Sequence, residues 1–265
     1  MKNRWIALLL VSSTLAGPLY AATYHVDDNA PNDPSPYYSK GSDTYEDGSA
    51  EHPFDSVQEA IDAAVDGDTI VVAPGYYLSP DPWEYDEISF KGKSLRLVGS
   101  APTDFDVINQ TVLCGVVIFD GTEDPNCLLQ GFKIQNHTCG GILGNGTQAT
   151  VSHCILSGNG PCGATVIKDV KGPIRNCLIV DNTTFHDCGT GPVVSGFTEL
   201  VNCTIANNLS NVSIPGDATA VRNCIIWGNE NPTTSSSSAT RGGPTPEITY
   251  NLVESGIRGG SNIID

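Results

Sequence analysis

A repeat of about 24 residues, running from Gly131 to Gly256, constrains the fold of this chain more than any other feature. Six units align: Gly131-Phe132-Lys133-Ile134, His153-Cys154-Ile155-Leu156, Asn176-Cys177-Leu178-Ile179, Asn202-Cys203-Thr204-Ile205, Asn223-Cys224-Ile225-Ile226 and Tyr250-Asn251-Leu252-Val253. Their second members are spaced 22, 23, 26, 21 and 27 residues apart. Insertions therefore fall between the units and not inside them. Solenoids vary in this way, because the packed strands are fixed in length and the loops are free.

Three residues before the Cys position stand Leu129, Val151, Ile174, Leu200, Val221 and Ile248. Two residues after it stand Ile134, Leu156, Ile179, Ile205, Ile226 and Val253. Both columns are entirely aliphatic. The column between the first of these and the bend (Gln130, Ser152, Arg175, Val201, Arg222, Thr249) is mostly polar. Adjacent columns of opposite character mean strands with one face in and one face out. The pattern predicts a short strand, a bend near the Cys, and a second short strand. A third strand is expected in Gly141–Leu143, Ala164–Ile167 and Gly191–Val194. Three strands per coil, stacked in register, make an all-β, right-handed parallel β-helix of about 22–27 residues per coil. Each coil adds roughly 4.8 Å of height.

The N-terminus has the marks of an export signal over residues 1–21. Lys2 and Arg4 precede an apolar run, Ile6–Val11, and Leu19-Tyr20-Ala21 ends in a small residue suited to cleavage. The run is too short to span a bilayer. The mature chain is expected to begin near Ala22 and to be secreted to the cell envelope or beyond. Losing Lys2 and Arg4 leaves 11 basic against 30 acidic side chains, a net charge of −19. Such a surface repels nucleic acid and anionic lipid, and repels uronate polysaccharides unless a cation bridges them.

Nine cysteines in an exported chain usually mean disulfides. Cys154, Cys177, Cys203 and Cys224 instead share one column and are expected to stack inside the coil as small hydrophobes. A linear stack does not supply the tetrahedral convergence of a zinc site. Cys139 and Cys162 lie seven and eight residues past their column positions, which lets them meet across one coil as a disulfide. Cys114, Cys127 and Cys188 take no assignment.

Residues 22–54 are acidic, Pro- and Asn-rich, and read as loop-like. Residues 55–67 read as a short amphipathic helix. Asp55 or Ser56 caps it, Glu59 sits at the capping-box position, and Gly67 ends it. A solenoid needs its open end sealed, so this helix is assigned as the N-terminal cap of a β-helix over 68–265. Thr69–Val72 begins the first coil; Ser94–Val98 and Val116–Phe119 are strands of early coils. Pro232–Gly243, with its four serines, reads as a flexible loop.

The segments Tyr24-His25-Val26-Asp27-Asp28-Asn29, Gly48-Ser49-Ala50-Glu51-His52-Pro53-Phe54, Gln58–Ala64 and Gly67–Tyr77 resemble the opening of secreted β-helix proteins of the pectin lyase-like superfamily. The Asn-Cys-x-Ile repeats and Ile225-Ile226-Trp227-Gly228-Asn229 are similar to that group's later coils. The resemblance implies the fold over most of the mature chain. It implies activity only broadly, since the superfamily includes polysaccharide lyases, hydrolases, epimerases, esterases and members without known activity. Similar proteins run on past a segment like Ser261–Asp265. An uncapped last coil is an aggregation risk, so the expectation is a truncated product or an end closed by a partner.

Outward columns on a β-helix form a long shallow groove suited to polymers. Arg175 and Arg222 share one such column two coils apart, roughly 10 Å. A uronate lyase needs a cation on the sugar carboxylate and a base for the C5 proton. Arg175, Asp181 and Arg222 are the catalytic candidates on that reading; surface charge is the bland one. The motifs Arg-x-Pro-x-x-Arg, Gly-His-Gly and a paired Asp-Asp on a repeat strand are absent, which lowers the expectation of lyase and polygalacturonase activity. His186, beside Asp187, and Trp227 are candidates for substrate binding, Trp227 by stacking on a sugar ring. His186 in a loop is otherwise solvated, and Trp227 otherwise packs on the serine-rich loop. His137 and His153 lie at bends. Asn159, Asn182, Asn208 and Asn229 form a column five after the Cys, read as bend residues whose amides bond along the stack. That reading explains the Asn-x-Ser/Thr matches at Asn182, Asn208 and Asn211 without glycosylation.

No cofactor is implied outright. Asp27, Asp28, Asn29, Asn32 and Asp33 are dense in the oxygen ligands that calcium takes, though their spacing fits no EF-hand loop. The expected function is binding or processing of polysaccharide through an outward strand face. The alternative is a non-catalytic structural or adhesive solenoid of a cell-surface protein.

Overall fold

Strands of three or four residues cannot bury an apolar face alone, and here they stack. The computed structural model describes residues 21–29, 46–78, 87–135, 141–159, 165–183, 192–210, 212–215, 217–229, 234–235, 247–249, 251–253 and 263–264. Within them the chain winds as a right-handed parallel β-helix with three stacked sheets and a two-stranded one, Ser213–Ile214 with Thr234–Ser235, whose second strand lies inside the segment read as a flexible loop. The first sheet runs from Thr23–Val26 through Thr69–Val72, Arg96–Gly99, Leu128–Gln130, Thr150–Ser152, Pro173–Arg175, Glu199–Val201 and Ala220–Arg222 to Glu247–Thr249. The second runs from Gly75–Leu78 through Thr111–Cys114, Lys133–Gln135, Ile155–Ser157, Leu178–Val180, Thr204–Ala206 and Ile225–Trp227 to Asn251–Val253 and Ile263–Ile264. The third is shorter: Glu87–Ser89, Val116–Ile118, Ile142–Leu143, Ile167–Lys168 and Val194–Ser195.

The register keeps each aliphatic column intact. Val151, Ile174, Leu200, Val221 and Ile248 are consecutive partners in the first sheet. Ile134, Leu156, Ile179, Ile205, Ile226 and Val253 are consecutive partners in the second. Leu129, Val151, Ile174, Leu200 and Val221 of the first sheet and all six of the second enter one continuous core, together with Phe90, Phe119, Phe132 and Phe197. Each buried aliphatic side chain contributes roughly 1.5–3 kcal/mol, so no coil is stable without its neighbours.

Two left-handed residues turn each coil. The first precedes the Cys: Gly131, His153, Asn176, Asn202 and Asn223 have φ of 83°, 50°, 54°, 54° and 53°. At Gly131 a Cβ would fall 2.5 Å from the Pro102 backbone, which explains the one glycine in that column. The second turn lies four residues after the Cys, at Gly158, Asp181, Asn207 and Gly228, with φ of 65°, 55°, 56° and 64°. The column five after the Cys is therefore not the left-handed one. Asn159, Asn182 and Asn208 sit one residue past the turn and are buried.

Cys154, Cys177, Cys203 and Cys224 lie in one interior column. Each thiol donates to the carbonyl two residues earlier, on Ser152, Arg175, Val201 and Arg222, at 3.2–3.3 Å. Contacts with Cys154 and Cys203, and then burial, hold the Cys177 pKa well above the usual thiol value. Burial likewise pushes Cys127 up to about 12. Contacts with Cys177 and Cys224 pull Cys203 the other way, well below the usual thiol value, but burial keeps all four column thiols from reagent. Iodoacetamide followed by peptide mapping should leave the four column cysteines unmodified in the native protein and alkylate all four in denaturant. Native alkylation at Cys177 would contradict the interior placement. Cys139 and Cys162 lie outside the described residues.

The cap helix α1 spans Val57–Ala63. Ser56 is its N-cap and accepts from the Glu59 amide at 3.1 Å. Val57, Ala60 and Ile61 face the core. At the other end Lys93 Nζ donates to the carbonyls of Ile61, Asp62 and Ala64 at 2.7, 3.0 and 2.8 Å. An ammonium there satisfies carbonyls that helix geometry leaves open.

Two further elements depart from the sequence reading. Thr23–Val26, inside the segment read as loop, is the first strand and pairs residue for residue with Thr69–Val72. Val26 is buried, and it bridges to Phe54, whose ring meets Tyr24. A second helix, α2, spans Phe105–Gln110 with Asp104 as N-cap. It packs on Thr111–Cys114 and Lys133–Gln135. No helix among the described residues is long and apolar enough to cross a membrane.

Candidate functional site

On the first sheet the outward charges pair with one another. Arg175, Val201 and Arg222 are consecutive partners, so the two arginines share a column with Val201 between them. Glu199 lies in the neighbouring outward column and spans the gap. Its Oε2 accepts from Arg175 Nη2 at 2.9 Å and its Oε1 from Arg222 Nη2 at 2.8 Å. Arg222 Nη1 also stands 3.7 Å from Glu247 Oε2. The result is an Arg–Glu–Arg–Glu zigzag across four coils. Partial burial pushes the Glu199 carboxyl up, but the bonds and charges of Arg175, then Arg222, outweigh it and hold its pKa below the usual value.

A depressed carboxylate pKa gives stability that is present above the unfolded value, near 4.5, and is lost as pH falls through the folded one. Glu199→Gln should therefore cost under about 1 kcal/mol at pH 7, since the pairs are surface pairs. Its cost should vanish in urea titrations run below the folded pKa. A cost that does not change with pH would mean that charge is not what Glu199 contributes.

Asp181 does not join this cluster. It is exposed in the left-handed turn after Leu178–Val180, at the far end of the second strand from Arg175. Its column fellows Gly158, Asn207 and Gly228 are residues that tolerate that backbone. Asp181 therefore meets the local conformational demand of the turn. No hydrogen bond or ion pair among the described residues links it to Arg175 or Arg222. His186 lies outside the described residues. His153 bridges two coils: Nδ1 stands 3.2 Å from Gln130 Nε2 and Nε2 stands 3.2 Å from Asn176 Nδ2. The row continues outside the coil with Asn202 donating to Asn176 and Asn223 to Asn202, both at 3.1 Å. This exposed ladder was legible as a column of turn-formers, but only the register shows that its amides bond.

The oxygen-rich segment at Asp27–Asn29 serves the backbone. Asp28 Oδ2 accepts from the Tyr76 amide at 2.9 Å and Asp27 Oδ1 from the Asn29 amide at 3.0 Å. Among the described residues no three His, Cys, Asp or Glu side chains converge as a metal site. Asn32 and Asp33 lie outside them.

The second sheet presents a different outer face. Tyr76, Val112, Lys133, Ile155, Leu178, Thr204 and Ile225 are consecutive partners on the outer side, where Val112 and Ile155 are buried. Six steps separate Tyr76 from Ile225, about 29 Å at the inter-strand spacing. In the parallel column Val180, Ala206 and Trp227 are consecutive partners. Ile225 and Trp227, two residues apart on one strand, are each 44% exposed. Tyr76 is 45% exposed, with its hydroxyl 3.1 Å from Cys114 Sγ and 3.3 Å from Gln135 Nε2. Two of the large exposed apolar side chains thus meet at Trp227. Neither Ile225 nor Tyr76 stands out in the sequence, because residues of this same column differ in whether other segments cover them.

No protein-family model matches the chain, and neither a curated protein nor a solved structure matches it.

Proposed function

We propose that this is an exported β-helix protein of the pectin lyase-like superfamily that binds polysaccharide, outside the cell or at its envelope, on the outer face of the second sheet. The observation that carries the reading is the pairing of exposed Trp227 with exposed Ile225 on one flat strand. An indole face stacks on the apolar face of a sugar ring, and a parallel sheet repeats such platforms at coil spacing. Val180 and Ala206 are small enough to let a chain lie across the coils below Trp227. The export signal and the Asn-Cys-x-Ile coils support the family and the location.

Binding rather than turnover fits the charges. A uronate lyase uses a free cation and a base; a hydrolase uses two carboxyl groups flanking the scissile bond. On the first sheet the guanidinium groups of Arg175 and Arg222 are engaged by Glu199. The net charge of −17 for the whole chain favours neutral over acidic glycans. Native affinity electrophoresis through neutral and acidic polysaccharides, with a reducing-end assay on the same samples, tests this. Retardation by a neutral glycan without new reducing ends is expected. New ends would establish processing instead, and a monodisperse protein retarded by no glycan would sink the glycan reading.

A further inference from the structure

Asp68 is a buried carboxylate, 3% exposed, between α1 and the strand Thr69–Val72. Its Oδ2 accepts from the Val65 amide at 2.9 Å and its Oδ1 from the nitrogen of Ala22 at 2.7 Å. Among the described residues no Lys, Arg or His pairs with it. A buried charge without a counter-charge is costly. Glu123 is buried in the same way and accepts from the amides of Asp120 and Gly121. Neither of those nitrogens can acquire a charge. The nitrogen on Asp68 can, because Ala22 is where the export signal is expected to be cut.

We propose that hydrolysis of the Ala21–Ala22 bond seats Ala22 as a free α-ammonium on Asp68, so that the processed end becomes a structural part of the first coil. The inference rests on the export reading above. In the cut, water adds its oxygen to the Ala21 carbonyl carbon and the C–N bond breaks. Ala21 leaves as a carboxylate. The Ala22 nitrogen keeps its hydrogen, gains one from the water and binds a further proton from solvent. A free α-amine has a pKa near 8, and a facing carboxylate favours its charged form.

The position is set to one residue. The Ala22 carbonyl accepts from the Thr69 amide at 2.9 Å, and Thr23 onward pairs in register with Thr69–Val72. Ala22 is therefore pinned on both sides, while Ala21 is exposed and leads away. A start at Thr23 would strip Asp68 of one donor and Thr69 of its acceptor. A start at Ala21 or earlier would leave an amide where a charge is wanted. Leu19-Tyr20-Ala21 supplies the small residue at the cut.

The test uses the full chain expressed in a secreting bacterial host. Intact mass and N-terminal sequencing of the exported protein should give a chain starting at Ala22. An N-hydroxysuccinimide ester at pH 7 should then label the Ala22 amine at least tenfold more slowly in the folded protein than in denaturant. Asp68→Asn should speed the native labelling. Because that variant also weakens the bond to Val65, a second preparation starting at Ala21 is compared: its amine should label at the denatured rate with Asp68 intact. A chain recovered uncut overturns both the export reading and this inference. An exported chain with another start, or an Ala22 amine that labels as fast folded as unfolded, overturns this inference alone.

Discussion

Asn182→Ala should destabilise the protein by about 4 kcal/mol, far more than a single polar side chain usually contributes. Asn182 stands in the middle of a buried amide ladder. Its Oδ1 accepts from the Asn159 amide at 3.0 Å and from Asn159 Nδ2 at 2.9 Å. Its Nδ2 donates to the Leu156 carbonyl and to Asn208 Oδ1, both at 2.9 Å. Asn208 repeats the arrangement toward Ile179 and Asn229. Alanine leaves the buried Asn159 amide without an acceptor and strips one hydrogen bond each from Asn159 Nδ2, the Leu156 carbonyl and Asn208 Oδ1. Each orphaned buried group costs about 1–3 kcal/mol. Asn223→Gly, which keeps the left-handed turn, is the control. It removes the same chemistry from the exposed ladder and should cost under about 1 kcal/mol, since solvent replaces what is lost. Urea denaturation of both variants decides the matter. Equal costs would mean that burial of the inner ladder is not what makes it valuable. Asn182 and Asn208 match glycosylation sequences, yet their buried amides leave no room for a glycan in the folded chain.

Phe119→Ala should cost a further 3–5 kcal/mol or so by a different mechanism. Phe119 follows the strand Val116–Ile118, and its amide donates to the Leu143 carbonyl at 2.9 Å. Its ring stacks on Phe90 with centroids 4.3 Å apart and planes 27° apart. Both rings are fully buried. Truncation opens a cavity that neighbouring backbone, fixed by the ladder, cannot close. Phe119→Leu keeps most of the volume and should cost roughly 1.5 kcal/mol. In a solenoid each coil contacts mainly its neighbours, so the damage should stay local. Hydrogen exchange should quicken most in Glu87–Ser89, Val116–Ile118 and Ile142–Leu143, and least in Ile225–Trp227. Uniform quickening would argue against coil-by-coil stability.

The coil interior was legible in the sequence because the repeat aligns it. Two aliphatic columns two or three residues either side of the Cys fix which face is inward, and a strand period of two leaves no choice about the rest. The parts that were not legible depend on what one coil does to the next. Glu199 aligns with Pro173, Ala220 and Glu247, a column too mixed to draw notice; its role appears once register places it between Arg175 and Arg222. The first strand hides in an acidic stretch because only Val26 buries, beside Val72 and Phe54. Helix α2 is six residues long, too short to show a period. Asp181 was a catalytic candidate alongside Arg175 and Arg222, whereas its left-handed backbone accounts for its place. Ile225 and Trp227 both flank the inward Ile226, so a period of two turns both outward; that neither is covered, unlike Ile155 in the same column, required the fold.

The proposed glycan site is the outer face of the second sheet at Trp227. Its most direct measurement compares the affinity of wild type, Trp227→Ala and Arg175→Ala for whichever neutral glycan retards the native protein. The account predicts about tenfold weaker binding for Trp227→Ala, the equivalent of one stacked ring, and unchanged binding for Arg175→Ala. The reverse pattern, with Arg175→Ala weakened and Trp227→Ala unchanged, would contradict it and move the site to the first sheet.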